Sequence, residues 1–194
     1  DLDEYLIQSL KQQKAEITSW GVGTKCITAD GSSALGGVFK MCARFDQGKL
    51  CPMMKISEDV EKITNPGIKQ VLRFYRKDNG KMITDLMCLD EEQINPTQDI
   101  TLITESAPWR KKTLKAGTFI VHNMLKPLII DGETCELPSL NETIAYAEQQ
   151  IGILWPEYTR LVNPDIMEIN LSCSLQKLKK DIIGKELASK KHLT

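Results

Sequence analysis

The apolar positions change their spacing along the chain, and each change marks an element. Leu2, Tyr5, Leu6 and Leu10 fall on one helical face, which predicts a helix over residues 1 to 14. Asp1, Asp3 and Glu4 complement the positive end of its dipole, and Lys11 and Lys14 the other end. Ala15 to Trp20 reads as a short strand running into Gly21-Val22-Gly23-Thr24. Residues 25 to 37 read as loop, broken by Asp30-Gly31-Ser32-Ser33 and Gly36-Gly37.

From there the pattern turns β-rich. Val38–Phe45 and Lys49–Ile56 flank Asp46-Gln47-Gly48 as a hairpin, with Pro52 marking an edge or bulge. Lys69–Arg76 and Met82–Leu89 flank Asp78-Asn79-Gly80-Lys81, and Asn-Gly tolerates the positive φ of a type I′ turn. Further strands are predicted at Ile100–Thr104 and Thr118–Leu125. After Pro138 the period becomes helical. Ser139 and Glu142 form a capping box before Leu140, Ile144, Ala147 and Ile151. Trp155-Pro156 opens a short helix that stops before Asn163-Pro164. Leu171, Leu175, Leu178 and Ile182 then predict a last helix with a solvated, lysine-rich end.

Composition narrows the class. In 194 residues, 25 Lys and Arg oppose 26 Asp and Glu, so no net field draws the chain to nucleic acid or an anionic membrane. No apolar run has membrane-helix length, and the N-terminus lacks the apolar core of a signal peptide. The start at Asp1 rather than Met suggests a piece of a longer protein. Cysteines 26, 42, 51, 88, 135 and 173 form no C-x-x-C, so they read as reduced thiols of a cytoplasmic protein and not as a zinc site.

Three features could carry chemistry. Gly21-Val22-Gly23-Thr24 lets backbone N–H groups approach an anion without a Cβ in the way. It lacks the third glycine of a dinucleotide fingerprint and the Lys-Ser/Thr order of a Walker loop. A plain tight turn fits it too, as does the last phosphate loop of a βα barrel. Lys40, Lys55, Lys62 and Lys69 read either as a solvated face or as a polyphosphate clamp. Asp1 and Asp3 are helix-terminal charges or, at the end of a barrel strand, ligands for ribose or Mg²⁺. His122 lies in an apolar strand and reads as structural; His192 sits in the tail. No catalytic triad or Cys–His set is arguable from spacing.

Ordered blocks then carry a resemblance. Asp1-Leu2-Asp3-Glu4-Tyr5-Leu6-Ile7, Trp20-Gly21-Val22-Gly23-Thr24 and Ala34-Leu35-Gly36-Gly37-Val38-Phe39-Lys40 resemble consecutive blocks of nicotinate phosphoribosyltransferases. So do Lys55-Ile56-Ser57-Glu58-Asp59, Thr64-Asn65-Pro66-Gly67, Lys69-Gln70-Val71, Leu137-Pro138-Ser139-Leu140 and Trp155-Pro156-Glu157-Tyr158.

The resemblance implies an α+β chain from the C-terminal portion of that family. Residues 1–30 would be the last helix–strand step of a type II phosphoribosyltransferase α/β barrel, 31–130 an antiparallel β-rich domain and 131–194 a helical C-terminal tail. It implies transfer of phosphoribose from 5-phosphoribosyl 1-diphosphate to nicotinate in NAD salvage, with ATP hydrolysed through a phosphohistidine, Mg²⁺ present, and homodimers sharing active sites. Carried over by position, Gly21, Gly23 and Thr24 would hold the 5-phosphate. Lys40 and, on a looser match to nicotinamide phosphoribosyltransferase, Lys69 would meet diphosphate or ATP. Asp1 or Asp3 would face ribose or metal. No catalytic residue is assigned, since neither His122 nor His192 matches the phosphohistidine and the base pocket has no counterpart here. The chain alone is therefore expected to be inactive. The rival readings are a non-catalytic β-rich interaction module and a nicotinamide or quinolinate phosphoribosyltransferase.

Overall fold

The computed structural model describes residues 2–34, 36–59 and 62–191. Asp1 and His192 lie outside the described residues. The chain divides into two compact units, Asp1–Phe39 with Arg160–Pro164, and Lys40–Thr159 with Asp165–Thr194.

In the smaller unit, helix α1 spans Glu4–Gln12. It starts there because Asp3, extended at φ −133°, accepts a hydrogen bond from the Leu6 N–H at 2.8 Å. It ends where Lys14 turns left-handed at φ 58° and the Ala15 N–H bonds back to Leu10. The strand expected at residues 15–20 is absent. A strand exists only within a ladder, and no described segment pairs with this one. Residues 24–27, expected as loop, form one helical turn, α2 (Thr24–Ile27).

The larger unit begins with the hairpin β1 (Ala43–Asp46) and β2 (Lys49–Pro52), in register Asp46↔Lys49. Gln47 and Gly48 both have positive φ, 49° and 76°, as a two-residue type I′ connection needs. The hairpin of β3 (Lys69–Arg76) and β4 (Met82–Leu89) keeps the predicted strands but not the predicted turn. Only Gly80 is left-handed there, and its N–H bonds to the Arg76 carbonyl. The connection is thus longer than a type I′ turn.

β5 (Ile100–Thr104), β6 (Lys111–Leu114), β7 (Phe119–Asn123) and β10 (Ile169–Leu171) complete a six-stranded sheet in the order β6-β5-β10-β4-β3-β7. The sheet is mixed, not purely antiparallel, because β10 runs parallel to β4. The region expected to be helical thus supplies a central strand. A second small hairpin, β8 (Ile129–Ile130) with β9 (Glu133–Thr134), turns through Asp131-Gly132, both at positive φ. Helices α3 (Leu140–Gly152), α4 (Pro156–Thr159) and α5 (Cys173–Lys191) follow. The capping box on α3 is complete: Ser139 Oγ accepts from the Glu142 N–H, and Glu142 accepts from the Ser139 N–H.

The core is built from alternate strand positions. Met82, Thr84, Leu86 and Cys88 are buried along β4, and Leu72, Phe74, Leu102, Leu114 and Phe119 pack with Leu86 and Cys88. Arg73, directly opposite Asp85, binds it bidentately at 2.8 and 2.9 Å and donates to Gln150 of α3 at 2.8 Å. Leu175 of α5 is fully buried.

Much apolar surface is uncovered. Neither α1 nor α3 has a buried residue, and Phe39, Ile27 and Phe45 stand largely in solvent. Among the described residues, no helix is long and apolar enough to cross a membrane.

Candidate functional site

Gly21, Gly23 and Thr24 lie together in the smaller unit, where the loop enters α2. Gly23 is the N-cap, and its carbonyl accepts from the Cys26 and Ile27 N–H groups, both at 3.1 Å. A Cβ built on Gly21 or Gly23 meets nothing within 4 Å, so no packing contact requires glycine there. What glycine leaves is open backbone, the feature an approaching anion needs.

Asp3 adjoins this loop through Lys25. Its Oδ2 accepts from Lys25 Nζ at 2.6 Å, while its Oδ1 caps α1. The Lys25 ammonium, and then the Leu6 N–H, hold the Asp3 carboxyl below its ordinary value; Asp3 in turn raises Lys25. Both oxygens are thus engaged by donors. Among the described residues no three His, Cys, Asp or Glu side chains converge as a metal would require.

The lysines belong to the larger unit. Lys40 opens it and is exposed. Lys69 begins β3, and its Nζ donates to the Gly67 carbonyl. Lys62 pairs with Asp59, and the Lys55 N–H donates to Thr64 Oγ1 at 2.8 Å. Gly67 explains the Thr64-Asn65-Pro66-Gly67 block. It sits at φ 83°, and an added Cβ would lie 2.9 Å from Leu89 Cδ2. Next to it, Asn65 donates to Glu105 Oε1 at 2.7 Å, and Lys179 Nζ reaches the same oxygen at 3.2 Å. Asn65 Oδ1 is buried with no hydrogen-bond partner. Residues 65, 105 and 179 are far apart in sequence, and only the unusual Asn-Pro-Gly block hinted at the cluster.

His122 pairs with Arg73 across the β3–β7 ladder, and its ring lies 5.0 Å from that of Tyr75 at a tilt of 53°. Cys88 is buried, and burial, reinforced by Glu92, pushes its thiol up to about 12. It is no nucleophile.

Residues 68–179 match the family model described as the nicotinate phosphoribosyltransferase C-terminal domain. The chain is similar to the nicotinate phosphoribosyltransferase of Bacillus subtilis (34% identity over 89% of this chain and 35% of that protein) and to that of Caenorhabditis elegans (36%, over 89% and 30%). It thus spans about a third of the length of these curated relatives. The crystal structure of human nicotinic acid phosphoribosyltransferase superposes with a TM-score of 0.55 at 27% identity, over 69% of this chain and 26% of that one.

Proposed function

Because this chain belongs to the nicotinate phosphoribosyltransferase C-terminal domain family, we propose that it forms the C-terminal part of an enzyme making nicotinate mononucleotide. In that reaction the pyridine nitrogen of nicotinate bonds to C1 of 5-phosphoribosyl 1-diphosphate. The C1–oxygen bond breaks with its electron pair leaving on pyrophosphate. The family match over residues 68–179 carries the reading.

The roles of this chain's residues follow from charge. The uncrowded backbone at Gly21 and Gly23, with the Thr24 hydroxyl, receives the ribose 5-phosphate. Lys25 adds positive charge beside it, held in place by Asp3. In this reading Asp3 acts as a positioning residue for Lys25. Lys40 and Lys69 serve the diphosphate or ATP phosphates, Lys40 across a homodimer interface. Mg²⁺ arrives with the diphosphate as substrate, and ATP hydrolysis accompanies turnover. A barrel wall supplied by the rest of the enzyme would give residues 15–20 their missing ladder.

The test is product formation. A full-length enzyme bearing this chain is expected to convert nicotinate and 5-phosphoribosyl 1-diphosphate to nicotinate mononucleotide, in preference to nicotinamide or quinolinate. Preference for another base would overturn the substrate assignment.

A further inference from the structure

The larger unit holds a cleft that the proposed phosphate-binding residues do not use. It measures about 710 Å³ and opens between the end of β3, the start of β4, the edge strand β6 and helix α4. A polar cleft of about 340 Å³ shares Ile83, Lys112 and Tyr158 with it, so the two form one trough.

Its charge is unbalanced. Four cations, Arg76, Lys77, Lys112 and Lys115, line the larger cleft against two carboxylates, Asp78 and Glu157. Arg76 is paired with Asp78, and Lys115 with Asp99. Lys77 and Lys112 have no ion-pair partner among the described residues. Solvated lysines have no reason to converge on one concavity, where like charges repel.

The opposite wall is aromatic and preset. The Trp155 indole N–H donates to the Met82 carbonyl at 2.7 Å, and the Met82 N–H bonds to the Ile153 carbonyl at 3.0 Å. Lys81 Nζ clamps the same segment through the carbonyls of Gly152 and Leu154. Trp155 is thus held at the cleft wall before any ligand arrives, with Tyr158 beside it. Buried Met82 and Leu114 add apolar contact.

We infer that this cleft binds an anion carrying a planar aromatic ring, of mononucleotide size, with its ring against Trp155 and Tyr158 and its anionic group between Lys77 and Lys112. The volume lies within the range of small-molecule sites, and aromatic faces with unpaired cations suit such a ligand. The inference does not depend on the proposed phosphate site, whose residues lie elsewhere in the chain.

The test uses AMP as probe on the 194-residue chain, by calorimetry and by the shift of the Trp155 indole N–H resonance. Ribose 5-phosphate and adenosine are run as probes lacking the ring or the charge. AMP is expected to bind and to move the Trp155 signal, with each half-probe much weaker. Lys77→Glu and Lys112→Glu, both at exposed positions, should each weaken AMP by about ten- to a hundredfold, while Lys49→Glu, exposed on β2 and outside the cleft, leaves it unchanged. Absence of AMP binding in the millimolar range would overturn the inference. So would equal binding by either half-probe, or by both glutamate variants. Equal loss through Lys49→Glu would place the binding outside the cleft and overturn it as well.

Discussion

Replacing Gly67 by Ala tests how the Asn-Pro-Gly block is built. Gly67 stands at φ 83°, and its N–H bonds to the Cys42 carbonyl at 2.7 Å, so the backbone cannot relax without losing that bond. Holding a non-glycine residue there costs about 1–2 kcal/mol. The new Cβ would lie 2.9 Å from Leu89 Cδ2 and 3.5 Å from Leu178 Cδ2. Relieving such overpacking costs a further 1–3 kcal/mol or so, toward the low end because a leucine methyl can swing. The sum is a loss of about 2–4 kcal/mol, a large part of a typical domain's stability. Urea unfolding followed by circular dichroism measures it. Leu89→Ala removes the close methyl, so in a double-mutant cycle the packing part, about 1–2 kcal/mol, should return while the φ part stays. Gly67→Ala as stable as the parent, or a cycle with no coupling, would refute this account of the block.

Asp85→Ala should destabilise the larger unit by about 1.5–3 kcal/mol, because it strands the Arg73 guanidinium under α3; wild-type urea midpoints would contradict this. For Cys88, the unfolded thiol ionises near its ordinary value of 9.0 while the folded one holds its proton to about 12. The folded state therefore binds more protons in between, and stability should fall as pH rises from 9 to 12, a slope that Cys88→Ala makes shallower. Native-state alkylation should accordingly reach Cys26 and Cys173, which are exposed, and spare Cys88. The purified 194-residue chain should form no nicotinate mononucleotide above a no-enzyme control, since base, ribose and phosphate sites must act together.

Legibility in the sequence followed locality. β3, β4 and β5 have the predicted bounds because alternation and flanking turns are local signals. β10 escaped because Ile169–Leu171 is three residues long with a polar centre, and Leu171 also fits the phase of the helix after it. It is a strand because Asn170, 3% exposed, donates to Thr84 Oγ1 at 2.6 Å within the sheet, a tertiary fact. β6 is masked by its lysines, and β8 and β9, two residues each, are too short to show alternation, so that Asp131-Gly132 is their one local signal. Residues 15–20 have the composition of a strand but no ladder. At the candidate site, the open glycines were readable from the sequence. The Asp3–Lys25 pair, 22 residues apart, was not, because only the fold brings the two together.

The most direct test is the affinity of 5-phosphoribosyl 1-diphosphate for a full-length enzyme bearing Gly23→Val. The added Cβ meets no protein atom of this chain within 4 Å, so the branched group occupies the anion's approach without a packing clash, and the unfolding midpoint is measured alongside. Equilibrium binding should fall sharply with an unchanged unfolding midpoint. Lys40→Ala should weaken it by roughly ten- to a hundredfold through loss of one charge-assisted contact. Parental affinity in a folded Gly23→Val protein would contradict the account: the turn would then be only a turn.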